Sequence, residues 1–418
     1  MNSIIRELQM AFIKNRQITD CFVIASEIIH KWKKDMVGGL LVKLDFEKAY
    51  DCVNHSFLFS MLEGMGFGAR WIHWIANCVT TLSLSVLMNG SPTEQFGIER
   101  GIRQRDPLSP FLFNIIIEAL NGILMKAANL HMLKGVVFGL REVNITHLQF
   151  ADDTIVFIDP SLSSLLTLKR ILRCFELVSG LRINFHKSCI VRVGTLNFRN
   201  PVVQKVEQRL ALWKSKFFSK GGRLVLIKAV LASISTYYIS VFKMLVGIAN
   251  KIEKLQRDFF WGDDLEKKKT NLVNWDMVCR SKKKGGLSIG RMLNKNKGLL
   301  SKWVWRFGWE TDSLWKMVVC AKYGVNSQQL RWNWCSKTQS SHFVKAIKSL
   351  HIQGSSTVIC MDKGLHVVIG KGDRASFWSD ISWNSVALKD AFPRIFALSL
   401  KKTGFVKDFG SWQREVWR

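Results

Sequence analysis

The stretch at residues 147 to 157, HLQFADDTIVF, places two adjacent acids inside a largely apolar run. Asp152 and Asp153 divide this run into two short segments, which predicts a strand, a tight turn and a second strand. The acids then lie at the tip of a hairpin, and a solvated two-residue turn is one interpretation of them. A functional site is the other, because like charges among residues that favour burial are costly without a counter-charge.

A third acid follows another predicted strand. Residues 38–46, GGLLVKLDF, indicate a strand that begins after a Gly-Gly break and brings Asp45 to its end, although Asp45 alone could equally cap a helix. If Asp45 meets Asp152 and Asp153 in one pocket, a divalent cation makes their crowding tolerable. Oxygen-only ligands favour Mg²⁺ or Mn²⁺ over zinc. Two such ions, about 4 Å apart, can stabilise the attacking and leaving oxygens of a phosphoryl transfer.

The charge of the chain points to a polyanionic partner. Lysine and arginine number 61 and aspartate and glutamate 32, which gives a net charge of +29 over 418 residues. Nucleic acid is the first candidate and an anionic membrane the second. The uncharged run at 229–242 is too short to span a bilayer, and the N-terminus lacks the apolar stretch of a signal peptide. We therefore expect an intracellular protein of the nucleus or cytoplasm, neither secreted nor membrane-bound.

The cysteines argue against a zinc site. The nine of them are scattered and form no Cys-x-x-Cys pair, so reduced thiols without disulfide partners are expected.

The remaining patterns predict a mixed domain followed by helices. Asn54 is the expected N-cap of a helix that stops at Gly66, Asn89-Gly90 the turn of a hairpin, and Ser109-Pro110 the start of a long apolar helix to Met125. Further helices are expected at 69–79 and 161–178, and a strand at 189–193. This order suggests an α+β domain with a largely antiparallel sheet. Residues 201–261 are mainly helical in pattern, and basic runs and tryptophans dominate from 262 onward.

A basic loop lies between the acidic motifs. Residues 100–120, RGIRQRDPLSPFLFNIIIEAL, join a glycine, arginines and Gln104 to the start of the apolar helix. Such a loop can hold a phosphate or a nucleic-acid backbone, although an ordinary hairpin-to-helix connection gives the same pattern.

Three blocks together make the sequence recognisable: KLDFEKAYDCVNHSFL, RGIRQRDPLSPFLF and QFADDTIVF. In order and spacing they resemble the reverse transcriptase of LINE-type, non-LTR retrotransposons, most closely the plant lineage. GLRINFHKS at 180–188 resembles the next block, the segment from Arg209 to Phe242 resembles the thumb, and the Trp-rich remainder resembles the C-terminal region of the same polyproteins. The resemblance covers nearly the whole chain.

The resemblance implies the palm of a right-handed polymerase, a ferredoxin-like antiparallel sheet with helices on one face. It divides the chain into residual fingers at 1–37, the palm at 38–195, a partly deleted helical thumb at 196–262, and a basic, Trp-rich, mostly helical region at 263–418. The implied activity is RNA-directed DNA polymerisation, in which two Mg²⁺ or Mn²⁺ ions assist nucleotide transfer from a dNTP to the 3′-hydroxyl of a DNA primer on an RNA template.

The resemblance also assigns roles to residues. The metal-binding, catalytic triad would be Asp45, Asp152 and Asp153, and the proton donor to pyrophosphate would be Lys187. Contacts to the incoming nucleotide would come from Tyr50, which excludes a 2′-hydroxyl, and from Phe46 and Gln104. Contacts to template and primer would come from Phe150, Arg103, Arg105 and Pro107. Core packing explains Phe46, at the strand end, better than nucleotide binding does, and it suits Phe150 at least as well as a contact to the primer. For Tyr50, packing on the sheet is compatible with the nucleotide role. An exposed lysine is often merely solvated.

The chain departs from the family pattern at several points. Arg105 stands where the family has glycine, so a positive φ there would strain the backbone. The fingers strands expected before AFIKNRQI are missing, and TLNFRN replaces a longer stretch around a YLGLP-like motif between Gly194 and Pro201. The replacement predicts that the start of the thumb is deleted. The family's endonuclease domain before this segment and its zinc-binding or RNase H region after it are also missing, so we expect an element truncated at both ends.

Two alternatives remain open. The first is an inactive remnant that keeps only nucleic-acid binding. The second is another palm-type polymerase, such as an intron maturase or an RNA-dependent RNA polymerase. The second fits less well, because viral RNA polymerases usually carry glycine before the paired acids and a large aromatic at position 50 favours deoxynucleotides.

Overall fold

The computed structural model describes most of the chain. The described residues are 4–81, 83–139, 143–193, 208, 210, 217–233, 235–262, 273–330, 339–350, 372–383, 386–410, 412–413 and 416–417. They form two compact units: unit 1 comprises Met1–Leu196 and Ser313–Gly324, and unit 2 comprises Asn197–Asp312 and Val325–Arg418.

The described helices, in chain order, are α1 (Ile18–Lys34), α2 (His55–Gly64), α3 (Ala69–Thr80), α4 (Ser109–Asn129), α5 (Leu162–Ser179), α6 (Lys220–Ser233), α7 (Ser235–Val241), α8 (Val246–Trp261), α9 (Trp275–Cys279), α10 (Met292–Trp309), α11 (Leu314–Tyr323), α12 (His342–Lys348), α13 (Leu388–Ala391) and α14 (Pro393–Leu398). The described strands are β1 (Leu40–Leu44), β2 (Ser83–Leu84), β3 (Leu87–Met88), β4 (Ser91–Pro92), β5 (Phe96–Gly97), β6 (Val136–Phe138), β7 (Val143–Ile145), β8 (His147–Phe150), β9 (Asp153–Ile158), β10 (Cys189–Arg192), β11 (Ile381–Trp383), β12 (Val386–Ala387), β13 (Trp412–Gln413) and β14 (Val416–Trp417).

A four-stranded antiparallel sheet organises unit 1. Its strand order is β10-β1-β9-β8, and β1 pairs antiparallel with both β9 and β10. Helices α2 to α4 fall between β1 and β8 in the chain, and α5 joins β9 to β10. This is the order of a βαββαβ, ferredoxin-like sheet, so the α+β class and the antiparallel sheet expected from the sequence are confirmed.

One face of this sheet carries the main core of unit 1. Val42 and Leu44 of β1, together with Val156 and Ile158 of β9, are buried in one apolar cluster with α2, α4 and α5. The side-chain period of two in a strand directs Lys43, Asp45 and Asp153 to the opposite face. The buried apolar face fixes the strand register, because a slip of one residue would exchange the two faces.

The opposite face is not bare, which corrects the expectation of helices on one face only. Trp32 of α1 makes an edge-to-face contact with Phe157 of β9, with ring centroids 6.0 Å apart. Helix α11 packs against α1 within unit 1, where the ammonium of Lys322 lies 2.6 Å from the buried carboxylate of Glu27. An amphipathic helix can bury a second apolar stripe against a neighbouring helix. The residues of α1 and α11 that meet here are too far apart in the chain for local sequence pattern to predict the contact.

Local signals in the sequence placed most boundaries in unit 1. The Asn54 side chain accepts from the Phe57 N–H and caps α2, as expected of an N-cap. Asn89 and Gly90 both have positive φ and join β3 to β4, the geometry of a type I′ hairpin. Gly180 ends α5 in the left-handed conformation. Helix α4 begins at Ser109 as expected but continues to Asn129, four residues beyond the predicted Met125.

The composition of helix α4 suits either a membrane-spanning helix or the buried core helix of a domain. Among the helices of the described residues, it alone is long and apolar enough to cross a membrane, and 67% of that segment is buried inside the protein. Its Ile116, Ile117 and Leu120 are fully buried in the unit 1 core, as in the core helix of a domain.

Unit 2 is mainly helical over its described residues. Its core gathers Ile227 of α6, Ile252 and Phe259 of α8, and Met292 of α10. The buried amide of Asn296 donates to the carbonyls of Ile239 and Phe242, which ties α10 to the end of α7. The predicted helical stretch at 201–217 and the TLNFRN segment lie almost entirely outside the described residues.

The tryptophans of unit 2 divide between packing and exposure. Trp275, Trp303 and Trp378 are buried, whereas Trp305 and Trp309 of α10 are exposed and lie parallel with ring centroids 6.3 Å apart.

Candidate functional site

The three acids of the sequence analysis lie at one end of the central strands. Asp152 is in the two-residue turn between β8 and β9, Asp153 is the first residue of β9, and Asp45 directly follows β1. Leu44 pairs with Thr154, so continuing the antiparallel register by one residue sets Asp45 beside Asp153. The sheet therefore brings together residues that are more than a hundred positions apart in the chain.

The electrostatics of Asp152 show that the acids influence one another. Partial desolvation in the turn raises the pKa of its carboxyl, and the carboxylates of Asp153 and Asp45 raise that pKa further. A hydrogen bond from the turn backbone and the charge of Lys43 act in the opposite direction. An added cation at this end of the sheet would relieve the repulsion.

A lysine already provides part of that counter-charge. Lys43 lies two residues before Asp45 on the same face of β1, and its Nζ is 3.3 Å from Oδ1 of Asp153. Both side chains are largely solvated, with 43% and 60% of their surface exposed, so this ion pair stabilises the fold by less than about 1 kcal/mol. Lys43 and Asp153 are far apart in the chain, so local sequence pattern could not predict this ion pair.

A turn that sequence reasoning overlooked holds the backbone of Asp45. The Asp45 N–H donates to Oγ of Ser188 at 3.1 Å, and its carbonyl accepts from the Asn184 N–H at 2.8 Å. Ser188 Oγ in turn donates to the Asn184 carbonyl, which closes the turn on itself. Lys187 is exposed in this same turn, so the fold brings its backbone next to that of Asp45. Asn184 and Ser188 are residue types that favour turns, but the sequence does not show that their turn binds the backbone of Asp45.

Tyr50 lies between the core and the acids. Its ring stacks on Phe113 of α4, with centroids 5.0 Å apart and planes inclined by 21°. Burial raises the pKa of the Tyr50 hydroxyl, and the nearby charge of Asp152 raises it further. The side chain is half-buried, so one part packs while another remains accessible next to Asp152.

The basic loop before α4 is anchored beside Tyr50. The Ile102 N–H donates to the Tyr50 carbonyl at 2.7 Å, and the Gly101 N–H donates to the Val53 carbonyl at 2.8 Å. Gly101 has φ +94° and lies so close to the backbone of Asp51 that a Cβ would meet the Asp51 carbonyl oxygen at 2.7 Å. Only glycine fits there, and this close approach fixes the base of the loop.

The rest of the loop presents its side chains to solvent. Gln104 donates from Nε2 to Oδ1 of Asp51 at 3.0 Å. Arg103, Arg105 and Pro107 are exposed. Arg105 has φ +66°, the left-handed conformation that the sequence analysis expected to strain the backbone at this position. A left-handed conformation costs a residue with a Cβ about 1–2 kcal/mol.

Two aromatic assignments receive different outcomes. Phe46 is only 5% exposed and packs edge-to-face on Phe175 of α5, so it belongs to the core and presents no surface to a nucleotide. Its assignment to nucleotide binding is therefore corrected: Phe46 continues the alternation of Val42 and Leu44, which directs its side chain to the buried face. Phe150 is half-buried and pairs with Asp153 to close the hairpin at the acids.

The donor set suits a hard divalent cation. Carboxylate oxygens alone are the ligands that Mg²⁺ and Mn²⁺ prefer, and the ammonium of Lys43 stands in for a cation at Asp153. Within the described part of the chain, the side-chain conformations bring no three His, Cys, Asp or Glu residues close enough to hold a metal ion. The residues fit such an ion in ligand type and in charge, and Lys43 already pairs with one carboxylate oxygen of Asp153.

Fold and site together define a class of protein. An antiparallel βαββαβ sheet whose adjacent strand ends gather carboxylates, beside a basic loop, is an α+β domain equipped for chemistry on phosphates. A family model described as reverse transcriptase (RNA-dependent DNA polymerase) matches residues 1–217, more than half of the chain. The chain belongs to the reverse transcriptase family.

Several curated proteins resemble the chain. A protein of Arabidopsis thaliana named as a ribonuclease H protein is 36% identical over 180 residues, which cover 43% of this chain and 28% of that protein. A retrovirus-related Pol polyprotein from type-1 retrotransposable element R2 of Popillia japonica is 31% identical over 155 residues, 37% of this chain and 21% of that protein. The 149 kDa protein of transposon TX1 of Xenopus laevis is 26% identical over 288 residues, 60% of this chain and 21% of that protein. The chain therefore spans about a quarter of the length of these relatives.

Proposed function

We propose that unit 1 contains the palm of an RNA-directed DNA polymerase of the non-LTR retrotransposon type, which adds deoxynucleotides to a primer 3′-hydroxyl on an RNA template. The observation that carries the proposal is the gathering of Asp45, Asp152 and Asp153 at adjoining strand ends, where two of these carboxylates raise the pKa of the third. Membership of the reverse transcriptase family supports it, and the Arabidopsis relative supports a plant lineage.

In this proposal the acids hold two Mg²⁺ or Mn²⁺ ions. A bound divalent ion would supply charge neutralisation of the triphosphate and a lowered pKa for the primer hydroxyl. Asp45 is held by its backbone in the Asn184–Ser188 turn, so its carboxylate is aimed by the fold rather than by its own rotamer alone. Lys187, in the same turn, would protonate the departing pyrophosphate.

Tyr50 and the basic loop would form the nucleotide side of the site. The Tyr50 ring is fixed by Phe113 beside Asp152, where it would meet the sugar of the incoming nucleotide and leave no room for a 2′-hydroxyl. Gln104, steadied by Asp51, would contact the nucleotide and template, and Arg103 and Arg105 would contact the template backbone. Phe150 and Pro107 would border the primer terminus and the template.

The remaining parts receive roles by the same proposal. Residues 1–37 would serve as fingers, 38–195 as palm and 196–262 as thumb. Residues 263–418, apart from Ser313–Gly324, which belongs to unit 1, would form a further basic region that binds nucleic acid.

Two observations favour a second candidate, a chain that binds nucleic acid without polymerising it. Arg105 occupies a strained, left-handed position in the loop that would receive the template. Lys43 holds Asp153, which competes with coordination of a metal ion.

Primer extension on poly(rA) with an oligo(dT) primer tests the proposal. With Mg²⁺ or Mn²⁺ present, we expect weak extension that is lost in Asp152→Asn and increased in Arg105→Gly. Extension that persists in Asp152→Asn comes from another source and refutes the site. An Arg105→Gly protein that binds RNA yet shows no extension favours the second candidate.

Nucleic-acid binding is measured in the same preparations. The net charge of +29 predicts that RNA affinity falls steeply as salt rises, because binding releases counterions from the phosphates. An RNA affinity that does not change between 50 and roughly 200 mM salt would exclude the basic surface as the contact.

A further inference from the structure

A buried glutamine from the N-terminal segment reaches the acidic turn. Gln9 forms a parallel bridge with Gln149 on the free edge of β8, with the Met10 N–H donating to the Gln149 carbonyl at 2.9 Å. Its side chain is fully buried. The side-chain oxygen Oε1 accepts from the Ala11 N–H at 2.9 Å and from the Ala151 N–H at 3.2 Å. Ala151 immediately precedes Asp152, so this bond connects the segment directly to the site.

The turn that receives this bond needs to be held. Ala151 has φ +55°, while Asp152 is not in the left-handed region. A two-residue hairpin turn of this kind normally has glycine at its first position, because other residues are strained there. Alanine at 151 therefore requires neighbouring contacts to keep the turn in one conformation.

The segment that carries Gln9 is itself firmly attached. The guanidinium of Arg16 donates to the carbonyls of Ile5 and Gln9, at 3.0 and 2.7 Å, and also to that of Arg6. Asn114 of α4 donates to the Ala11 carbonyl at 2.8 Å. These bonds fix Gln9 from both sides, so its amide can restrict the turn rather than follow it.

Gln9 also belongs to a buried polar row beneath the acids. The strand register aligns Leu44, Thr154, Gln149 and Gln9 across neighbouring segments, one step from Asp45 and Asp153. The buried Thr154 hydroxyl and both polar atoms of the Gln149 side chain have no hydrogen-bond partner within the described residues. Burying polar groups in this way is costly, and a row of them behind a site calls for a functional explanation.

We propose that Gln9 is a positioning residue for the site: its amide oxygen holds the Ala151–Asp152 turn and thereby fixes the direction in which the Asp152 carboxylate projects. This inference rests on the proposed function, in which Asp152 binds a metal ion. Residues that orient a metal ligand through a hydrogen bond typically change metal affinity about 10- to 100-fold when removed.

The experiment compares Mn²⁺ binding, followed by electron paramagnetic resonance, in four proteins. These are the wild type, Gln9→Met, Gln149→Met and Asp152→Asn, each as the full chain. Methionine preserves the length of glutamine but removes the acceptor. Gln149→Met is the matched control, because it makes the same change in the same buried row without touching the turn N–H through its side chain. We expect Gln9→Met to weaken Mn²⁺ binding about 10-fold or more and Gln149→Met to leave it within about twofold of the wild type.

The outcomes separate this inference from the proposed function. If Asp152→Asn binds Mn²⁺ as the wild type does, the metal site itself is wrong. If binding depends on Asp152 but Gln9→Met and Gln149→Met change it equally, Gln9 contributes only to packing and the inference is refuted.

Amide hydrogen exchange at Ala151 supplies a readout that is independent of metal. The Ala151 N–H should exchange slowly in the wild type and in Gln149→Met, and at least about 10-fold faster in Gln9→Met, because a hydrogen-bonded amide exchanges only when its bond opens. If Gln9→Met does not fold, the wild type alone decides the question. An Ala151 amide that exchanges as fast as an unprotected one overturns the inference.

Discussion

Acidification should destabilise unit 1 through one buried histidine. His147 of β8 is fully buried, and its Nδ1 lies 2.7 Å from the hydroxyl of Thr146. Burial, together with the positive charge of Arg6, lowers the pKa of His147 to about 3. Arg6 lies near because it pairs with the buried carboxylate of Glu118 at 2.6 Å.

The pH window follows from the two states of His147. In the unfolded chain its pKa is about 6.5, so as pH falls the unfolded state takes up the proton first. The contribution of neutral His147 to the free energy of unfolding is fully present above about pH 6.5. As pH falls below this value, the contribution declines by about 1.4 kcal/mol per pH unit until the folded-state pKa is reached. At pH 5 the loss is about 2 kcal/mol. Glu118 acts with the opposite sign, because burial raises the pKa of its carboxyl and the folded state then binds the proton more readily.

The assay is urea unfolding at pH 7 and pH 5, followed by circular dichroism, in the wild type, His147→Gln and His73→Gln. The wild type should lose about 2 kcal/mol more than His147→Gln between these values, because Glu118 and the other groups contribute equally to both proteins. His73 is exposed on α3, so His73→Gln serves as the matched control for replacing a histidine with glutamine. Equal pH dependence in the wild type and His147→Gln would refute the assignment of the proton to His147.

Three further predictions follow from particular contacts. Arg105→Gly should raise any primer extension and stabilise the loop by up to about 1 kcal/mol, since glycine relieves the strain at φ +66° at some cost in entropy. A variant that improves neither primer extension nor stability against thermal unfolding would contradict this account of the loop. Lys322→Met should lower the free energy of unfolding by about 3–5 kcal/mol, because it leaves the buried Glu27 carboxylate without its cation. The double variant Glu27→Gln/Lys322→Met should lose less stability than this single variant. Equal losses in thermal unfolding would exclude the ion pair as the cause. Burial raises the pKa of the Cys21 thiol to about 12, so Cys21 should resist iodoacetamide at pH 8 in the folded protein, and modification at the rate measured in urea would show that it is not protected.

Local sequence signals were sufficient for the sheet and for the three acids. The hairpin at Asp152 and Asp153 follows from short apolar segments around a turn, and Asp45 follows from a strand end, so each position could be read within about ten residues. Their proximity required one more step, the pairing of antiparallel strands, which the sheet order supplies. Signals of this kind are strong because burial of one face fixes both the register and the side of each residue.

Contacts between distant segments could not be read in this way. Gln9 and Ala151 are 142 residues apart, and Asp45 and Ser188 are 143 apart. Lys322 and Glu27 are separated by 295 residues, which is why α11 looked like part of the C-terminal region although it packs in unit 1. Each of these residues has an ordinary local role as a polar turn, strand or helix residue, so only tertiary structure reveals the partner.

Ala151 and Arg105 both adopt left-handed backbone at the candidate site, and their surroundings differ in a way that bears on activity. Ala151 is buried, and the Gln9 amide accepts from its N–H, so the turn beside Asp152 has a fixed support. Arg105 is exposed, and the contacts that anchor its loop are made by the preceding residues Gly101, Ile102 and Gln104. Strain without support is released by movement, so the loop should change conformation more readily than the acidic turn. In the proposed function, Arg105 would therefore impair contacts with template and nucleotide, while the acids keep their arrangement. The expected protein binds Mn²⁺ in an Asp152-dependent manner yet extends primers poorly, and a chain that lacks both properties would show that the acidic cluster is lost as well.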